Sequence, residues 1–178
     1  DTIKTFTFSI LVDISGSMAG DRIIHSARTI VMLTEVLARL GMDFEIGVYG
    51  DNHKTLKQFD DPYKDKEKTR LAGIVKQCNS GTSITTGLKG IKILKQPEKN
   101  KVVIVLTDGE IGGELHEAND FLSKWNKKGV RTAVLGIHCS DTIKNLDGGM
   151  GYRVDRVSDI PKIIFDLLNK LIIPTKTP

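Results

Sequence analysis

Three short polar segments carry the side chains able to do chemistry: Asp13-Ile-Ser15-Gly-Ser17, Gly81-Thr82 and Asp108-Gly109. Together they offer two carboxylates, three hydroxyls and no soft ligand. Oxygen donors of this kind suit a hard divalent cation: Mg²⁺, Mn²⁺ or Ca²⁺. Alternate positions in one turn can bring the Asp13 carboxylate and the Ser15 and Ser17 hydroxyls onto one centre. Two carboxylates at one site repel each other, and a divalent cation removes that conflict. Other chemistries fit the spacing poorly. Neither serine has a histidine in its turn, as a nucleophilic triad requires. Gly81 to Gly87 lacks the Gly-Lys-Ser/Thr ending of a phosphate loop, and no Gly-X-Gly-X-X-Gly opens a helix after the first strand. Cys78, Cys139, His25, His53, His116 and His138 form no Cys-X2-Cys or His-X3-His pair, which argues against zinc.

The elements that must position these segments alternate between strand and helix. Phe6–Val12 is a β-rich apolar run that ends in the Asp13 turn. Ile23, Ala27, Ile30, Thr34, Leu37 and Leu40 recur every three or four residues, one buried face of a helix. Gly41 sits where that helix needs a left-handed residue to stop. Phe44–Tyr49 reads as a strand, Lys54–Phe59 as a short polar edge strand, and Lys66–Gln77 and Ile84–Leu94 as helices. Val102–Leu106, wholly apolar between charged flanks, reads as the central strand of a parallel sheet covered on both faces. Leu115, Ala118, Leu122 and Trp125 mark a helix, and Val130–Ile137 and Tyr152–Val154 strands. Ile160 to Leu171 makes a closing amphipathic helix. The pattern predicts an α/β fold: a doubly wound, mostly parallel, Rossmann-like sheet with helices on both faces. Such sheets bind ligands at the carboxyl ends of their strands, where the strand order reverses. The Asp13 and Asp108 turns both follow strands at that end.

With these motifs in order, the sequence resembles a von Willebrand factor A-type domain, also called an integrin I-like domain, over nearly its whole length. That family's metal-ion-dependent adhesion site combines Asp-X-Ser-X-Ser with a distant Thr and a distant Asp. Asp13, Ser15, Ser17, Thr82 and Asp108 stand at those places. Ser83, Thr85 and Thr86 lie close enough to compete with Thr82. The resemblance implies that Ser15 and Ser17 bind the metal directly, and Asp13, Thr82 and Asp108 directly or through water. It implies an open coordination position that accepts an Asp or Glu of a protein partner, hence a binding module and not an enzyme. Asp13-Ile-Ser-Gly-Ser-Met18 and Gly41–Ile46 resemble the intracellular A-domains of metal chelatases and midasin-like proteins, which work with AAA+ ATPases. An AAA+ ATPase or another region of the same chain is then an expected partner.

Two other readings compete. Thr107-Asp-Gly-Glu110-Ile-Gly-Gly-Glu114 resembles the last acidic motif of Mg²⁺-dependent haloacid-dehalogenase-type phosphohydrolases. Their general acid lies two residues after the first Asp, where this chain has Ser15, which cannot deliver a proton. A metal-free scaffold is the other, and the intact motif argues against it. Glu110 fits either an acceptor for a metal-bound water or an ordinary acid at a helix approach. Asp141 and Gly148, Gly149 and Gly151 belong to a loop at the same end, a rim for partner choice or a plain connection.

Size and composition agree with one globular unit. The 178 residues, 39% hydrophobic and 27% charged, read as a single domain over residues 1–178. Starting at Asp1 rather than Met, it is expected to be a piece of a longer protein. No apolar run is long enough to span a membrane. Two cysteines make no disulfide framework, and no Asn-X-Ser/Thr sequon occurs, so free thiols in the cytoplasm are expected. The net charge of +4 names no partner, but its distribution is informative. Segments 13–20, 50–61, 78–86, 108–117 and 139–149, placed at the metal end, hold ten carboxylates and three lysines, a sum of −7. An acidic rim concentrates cations and disfavours nucleic acid there.

Overall fold

Phe6–Asp13 forms strand β1, and all of its residues are buried. A strand covered on both faces carries no polar-apolar alternation, which is why it reads as a continuous apolar run. In the computed structural model, which describes residues 6–78, 80–97, 100–109, 111–138, 146 and 151–172, β1 lies inside a six-stranded sheet. The other strands are β2 (Asp43–Tyr49), β3 (His53–Lys57), β4 (Asn100–Thr107), β5 (Val130–Ile137) and β6 (Gly151–Val154). Their order is β3-β2-β1-β4-β5-β6. All pairs are parallel except β2 with β3. The expected central place of Val102–Leu106 is observed: β4 sits between β1 and β5.

Among the described residues five α-helices cover the sheet: α1 (Asp21–Arg39), α2 (Asp65–Ala72), α3 (Ile84–Gly90), α4 (Leu115–Lys127) and α5 (Ile160–Ile172). Strand parity divides the core in two. Phe8, Ile10, Val12 and Ile104 pack with Ile23, Ile30, Leu71 and Ile164 of α1, α2 and α5. Leu11, Val103 and Val105 pack with Leu88 of α3 and Leu122 and Trp125 of α4. No helix among the described residues is long and apolar enough to cross a membrane. From β1 the chain moves out to β2 on one side, while β4 lies on the other. The order reverses between β1 and β4, so the crevice at their carboxyl ends is the natural binding place.

Three elements differ from expectation. The helix expected over Lys66–Gln77 stops at Ala72 and tightens into a 3-10 turn, Gly73–Lys76. Gly73 and the β-branched pair Ile74-Val75 hold an α-helix poorly. The helix expected over Ile84–Leu94 ends at Gly90, and a 3-10 turn, Ile93–Lys95, follows. A Cβ at Gly90 would lie 2.1 Å from His53 Cγ, so only glycine lets the helix end approach this ring. His53 itself opens β3 half-buried against α3, and burial pushes its imidazole below the usual histidine range.

The third element is β3, and its difference is electrostatic. Because β3 runs antiparallel to β2, it carries the chain back to the amino ends of the parallel strands. Lys57 Nζ donates there to the Phe44 carbonyl at 2.9 Å. Lys57, Asp60 and Asp61 therefore leave the metal end, which loses two of the carboxylates and one of the lysines assigned to it. Lys101, Lys127, Lys128 and Arg131 lie at the amino ends of β4 and β5, the opposite edge of the sheet.

Glu45 is the buried acid of the α3 side. It is 4% exposed and accepts hydrogen bonds from Ser9 Oγ and, at 2.9 Å, from the Lys92 amide. Burial outweighs these bonds and pushes its carboxyl up from the usual 4.5. The folded state thus binds this proton more tightly than the unfolded chain, so stability falls as pH rises from about 4.5 through the folded value. Glu45→Gln keeps the accepting oxygen and removes the charge. It is expected to raise Tm by a few degrees at neutral pH, with the gain vanishing below pH 4.5 in a calorimetric pH series.

Candidate metal centre

Asp13 ends β1 and is wholly buried. Its Oδ1 accepts the Ser15 amide at 2.8 Å and its Oδ2 accepts the Thr107 hydroxyl at 2.8 Å. The first bond is the side-chain-to-backbone closure that aspartate favours in turns. It folds Ser15 back over the strand end, and the 3-10 turn Gly16–Met18 follows, anchored by buried Met18. Ser15 Oγ and Ser17 Oγ consequently stand 3.1 Å apart. Asp108 follows β4 directly and is 3% exposed. Gly109 makes the turn with φ +78°, and its amide donates to Thr107 Oγ at 3.1 Å. Asp13, Ser15, Ser17 and Asp108 thus meet at the carboxyl ends of β1 and β4.

The electrostatics of this cluster are unfavourable without a cation. Burial pushes the Asp13 carboxyl above its usual range, opposed by the bonds from Ser15 and Thr107 and reinforced by the charge of Asp108. Arg22, in the first turn of α1, supplies one positive group. Its guanidinium donates to the Ser17 carbonyl at 2.9 Å and lies 3.7 Å from Asp108 Oδ2. The donors are carboxylate and hydroxyl oxygens, the set that fits a hard divalent ion. Among the described residues no three of His, Cys, Asp and Glu gather into a metal-sized cluster. The half-buried Cys78 thiol is free, and burial, reinforced by the Asp13 charge, pushes it up to about 11, which keeps it protonated at neutral pH.

Thr82 lies on a loop tied to this cluster at several points. Ser80 bridges Ser15, and the Gly16 amide donates to the Ser80 carbonyl at 3.0 Å. Gly81 N donates to Asp51 Oδ2 at 3.0 Å, and Ser83 N to the Gly50 carbonyl at 3.0 Å. The competing hydroxyls are engaged. Ser83 Oγ caps α3 by accepting the Thr86 amide and donates to Thr86 Oγ1 at 2.8 Å. Thr85 Oγ1 donates to Glu114 Oε2 at 3.0 Å, which also accepts the Thr85 amide. No hydrogen bond joins Thr82 to the other four residues; it stands half-buried between two anchored neighbours.

Sequence reading missed Arg22, Tyr49 and the role of Thr107. Arg22 had a signal: a cation in a helix's first turn opposes the dipole there, so it needs another anionic partner. Thr107 and Tyr49 are revealed only by strand register, which sets Tyr49 opposite Asp13. Glu110, Cys139, Asp141, Lys144, Asp147, Gly148 and Gly149 lie outside the described residues.

A family model of the von Willebrand factor type A domain matches residues 9–158. The chain belongs to this family. Solved structures share the fold. The manganese-loaded TRAP protein of Plasmodium vivax aligns with this A domain at a TM-score of 0.75 and 20% identity, covering 95% of this chain and 74% of that one. Proximal thread matrix protein 1 from the mussel byssus, with a zinc-occupied MIDAS motif, gives 0.71 at 19% identity, covering 97% and 47%. BatB from Bacteroides thetaiotaomicron gives 0.63 at 18% identity, covering 93% and 98%. This A domain therefore spans about half the length of the mussel protein. No curated protein sequence matches it.

Proposed function

We propose that this A domain is a divalent-metal-dependent protein-interaction module and not an enzyme. The observation that carries the reading is the buried pair Asp13 and Asp108, set beside two hydroxyls at the reversal of strand order. Ser15 and Ser17 would hold the cation with neutral oxygens, Asp13 and Asp108 with charge, and Thr82 with the hydroxyl that its neighbours leave uncommitted. A divalent cation held there supplies an open, positively charged position for an Asp or Glu of a partner protein. The chain's own residues fix the geometry: Ser15 and Thr107 lock both Asp13 oxygens, and Arg22 restrains the Ser17 carbonyl. The manganese of one structural relative and the zinc of another support a divalent ion in general. Mg²⁺ is our choice on donor hardness. Ser15, whose hydroxyl faces Ser17, stands where a dehalogenase-type phosphohydrolase needs its acid, which supports binding over hydrolysis. The cytoplasm and an AAA+ partner remain proposals that rest on the Asp13–Met18 motif.

The test is a pull-down from the native source in Mg²⁺ and in EDTA, paired with turnover assays on phosphate esters. A partner released by EDTA, with no turnover, is the expected result. A partner held equally in EDTA would contradict the metal bridge, and metal-dependent ester hydrolysis would replace the module with an enzyme.

A further inference from the structure

Tyr49 ends β2 directly opposite Asp13 of β1 in the parallel register. Its side chain is 0% exposed. The ring is wedged against α3: a Cβ at Gly87 would lie 2.7 Å from Tyr49 Cγ, and Leu11 lies in the same apolar cluster. The phenol therefore has no room to turn away, and it points its hydroxyl at the strand ends beside Asp13 and Thr107. Asp13 and Thr107 stand near enough to act on that hydroxyl, yet by distance and angle it completes no hydrogen bond with them. A buried tyrosine hydroxyl ordinarily finds a partner, because an unmet donor in the interior is costly. The Asp13 and Thr107 oxygens beside it already hold other partners: Asp13 Oδ1 accepts from Ser15, Asp13 Oδ2 from Thr107, and Thr107 Oγ from Gly109. An oxygen from outside the chain would give the hydroxyl a partner of its own.

We propose that Tyr49 is a positioning residue of the metal centre, whose phenolic hydroxyl donates to a water ligand that arrives with the divalent cation. The inference rests on the metal-binding reading above. It adds a residue that lies on a different strand from every motif residue and that is held too deep to touch a partner. Outer hydrogen bonds of this kind orient the ligands of a metal and raise its affinity.

The test is Tyr49→Phe, which keeps the wedged ring and removes one oxygen. Mn²⁺ is the probe, with affinity read by calorimetry and bound water by water-proton relaxation. The expected result has opposite signs in two readouts: the metal-free variant melts at or above the wild-type temperature, while its Mn²⁺ affinity falls about tenfold. Relaxation enhancement per bound Mn²⁺ should also change. A purely structural hydroxyl would lower metal-free stability and leave the affinity alone. Equal Mn²⁺ affinity in both proteins overturns the proposal while leaving the metal site standing. Absence of Mn²⁺ binding in the wild type overturns both.

Discussion

Asp13→Asn is expected to leave the metal-free domain at least as stable as the wild type and to abolish its response to divalent cations. Asparagine retains Oδ1 as the acceptor for the Ser15 amide, which holds the turn of Ser15 and Ser17 in place. Its amide nitrogen replaces Oδ2, so Thr107 Oγ must accept where it now donates. That exchange costs little beside the relief of removing a wholly buried charge that faces Asp108. With cation present the order reverses. A ligand that binds only the folded state stabilises it by RT ln(1 + [M]/Kd), about 2.7 kcal/mol at a hundredfold excess over Kd. For a domain of this size that is roughly 5–10 °C in Tm. Scanning calorimetry with EDTA and with saturating Mg²⁺ or Mn²⁺ checks both halves. The wild type should gain and the variant should not. An equal gain in both would remove Asp13 from the metal site.

The fold was legible to the extent that its signals were local. Val102–Leu106 announces a central strand because burial on both faces leaves nothing polar to alternate. Ile23, Ile30 and Leu37 mark the inner face of α1 by spacing alone, and all three are buried. Gly41, with φ +66°, follows α1 as expected. The two polar turns were found for the same reason: each motif is contiguous. What escaped depends on pairing between distant segments. No local pattern says that β3 returns antiparallel, yet that choice moves Asp60 and Asp61 to the far end of the sheet. No local pattern joins Gly90 to His53 and so ends α3 early. Tyr49 read as one more apolar strand residue, and only register with β1 turns its hydroxyl into part of the site. Among the candidate site residues, Thr82 shows the limit best. Its sequence neighbours offered equal chemistry, and the distinction comes from α3 capping and from Glu114, two contacts made after folding.

Gly50→Ala tests whether the Thr82 loop belongs to the site at all. Gly50 follows β2, and a Cβ there would fall 1.7 Å from Ser80 Oγ, 2.7 Å from Ser80 Cβ and 3.0 Å from the Gly81 carbonyl. Rotating the Ser80 hydroxyl relieves only the first clash, so the backbone of the loop must retreat. It cannot retreat freely, because Ser80 bridges Ser15 and Ser83 N bonds the carbonyl of Gly50 itself. Overpacking of this kind costs about 1–3 kcal/mol. Stability loss alone would say nothing about the metal, so Ser83→Ala serves as its control. It removes the α3 cap at a cost of about 1 kcal/mol without pushing on Ser80 or Gly81. The expected outcome is that both variants melt earlier, while only Gly50→Ala loses Mn²⁺ affinity, by about tenfold or more, in calorimetric titration below its Tm. The loss follows because the loop's retreat draws Thr82 away from Asp13 and Asp108 while the turn of Ser15 and Ser17 stays anchored by Asp13 and Met18. Wild-type affinity in Gly50→Ala would take Thr82 out of the site and leave Asp13, Ser15, Ser17 and Asp108 to hold the cation alone.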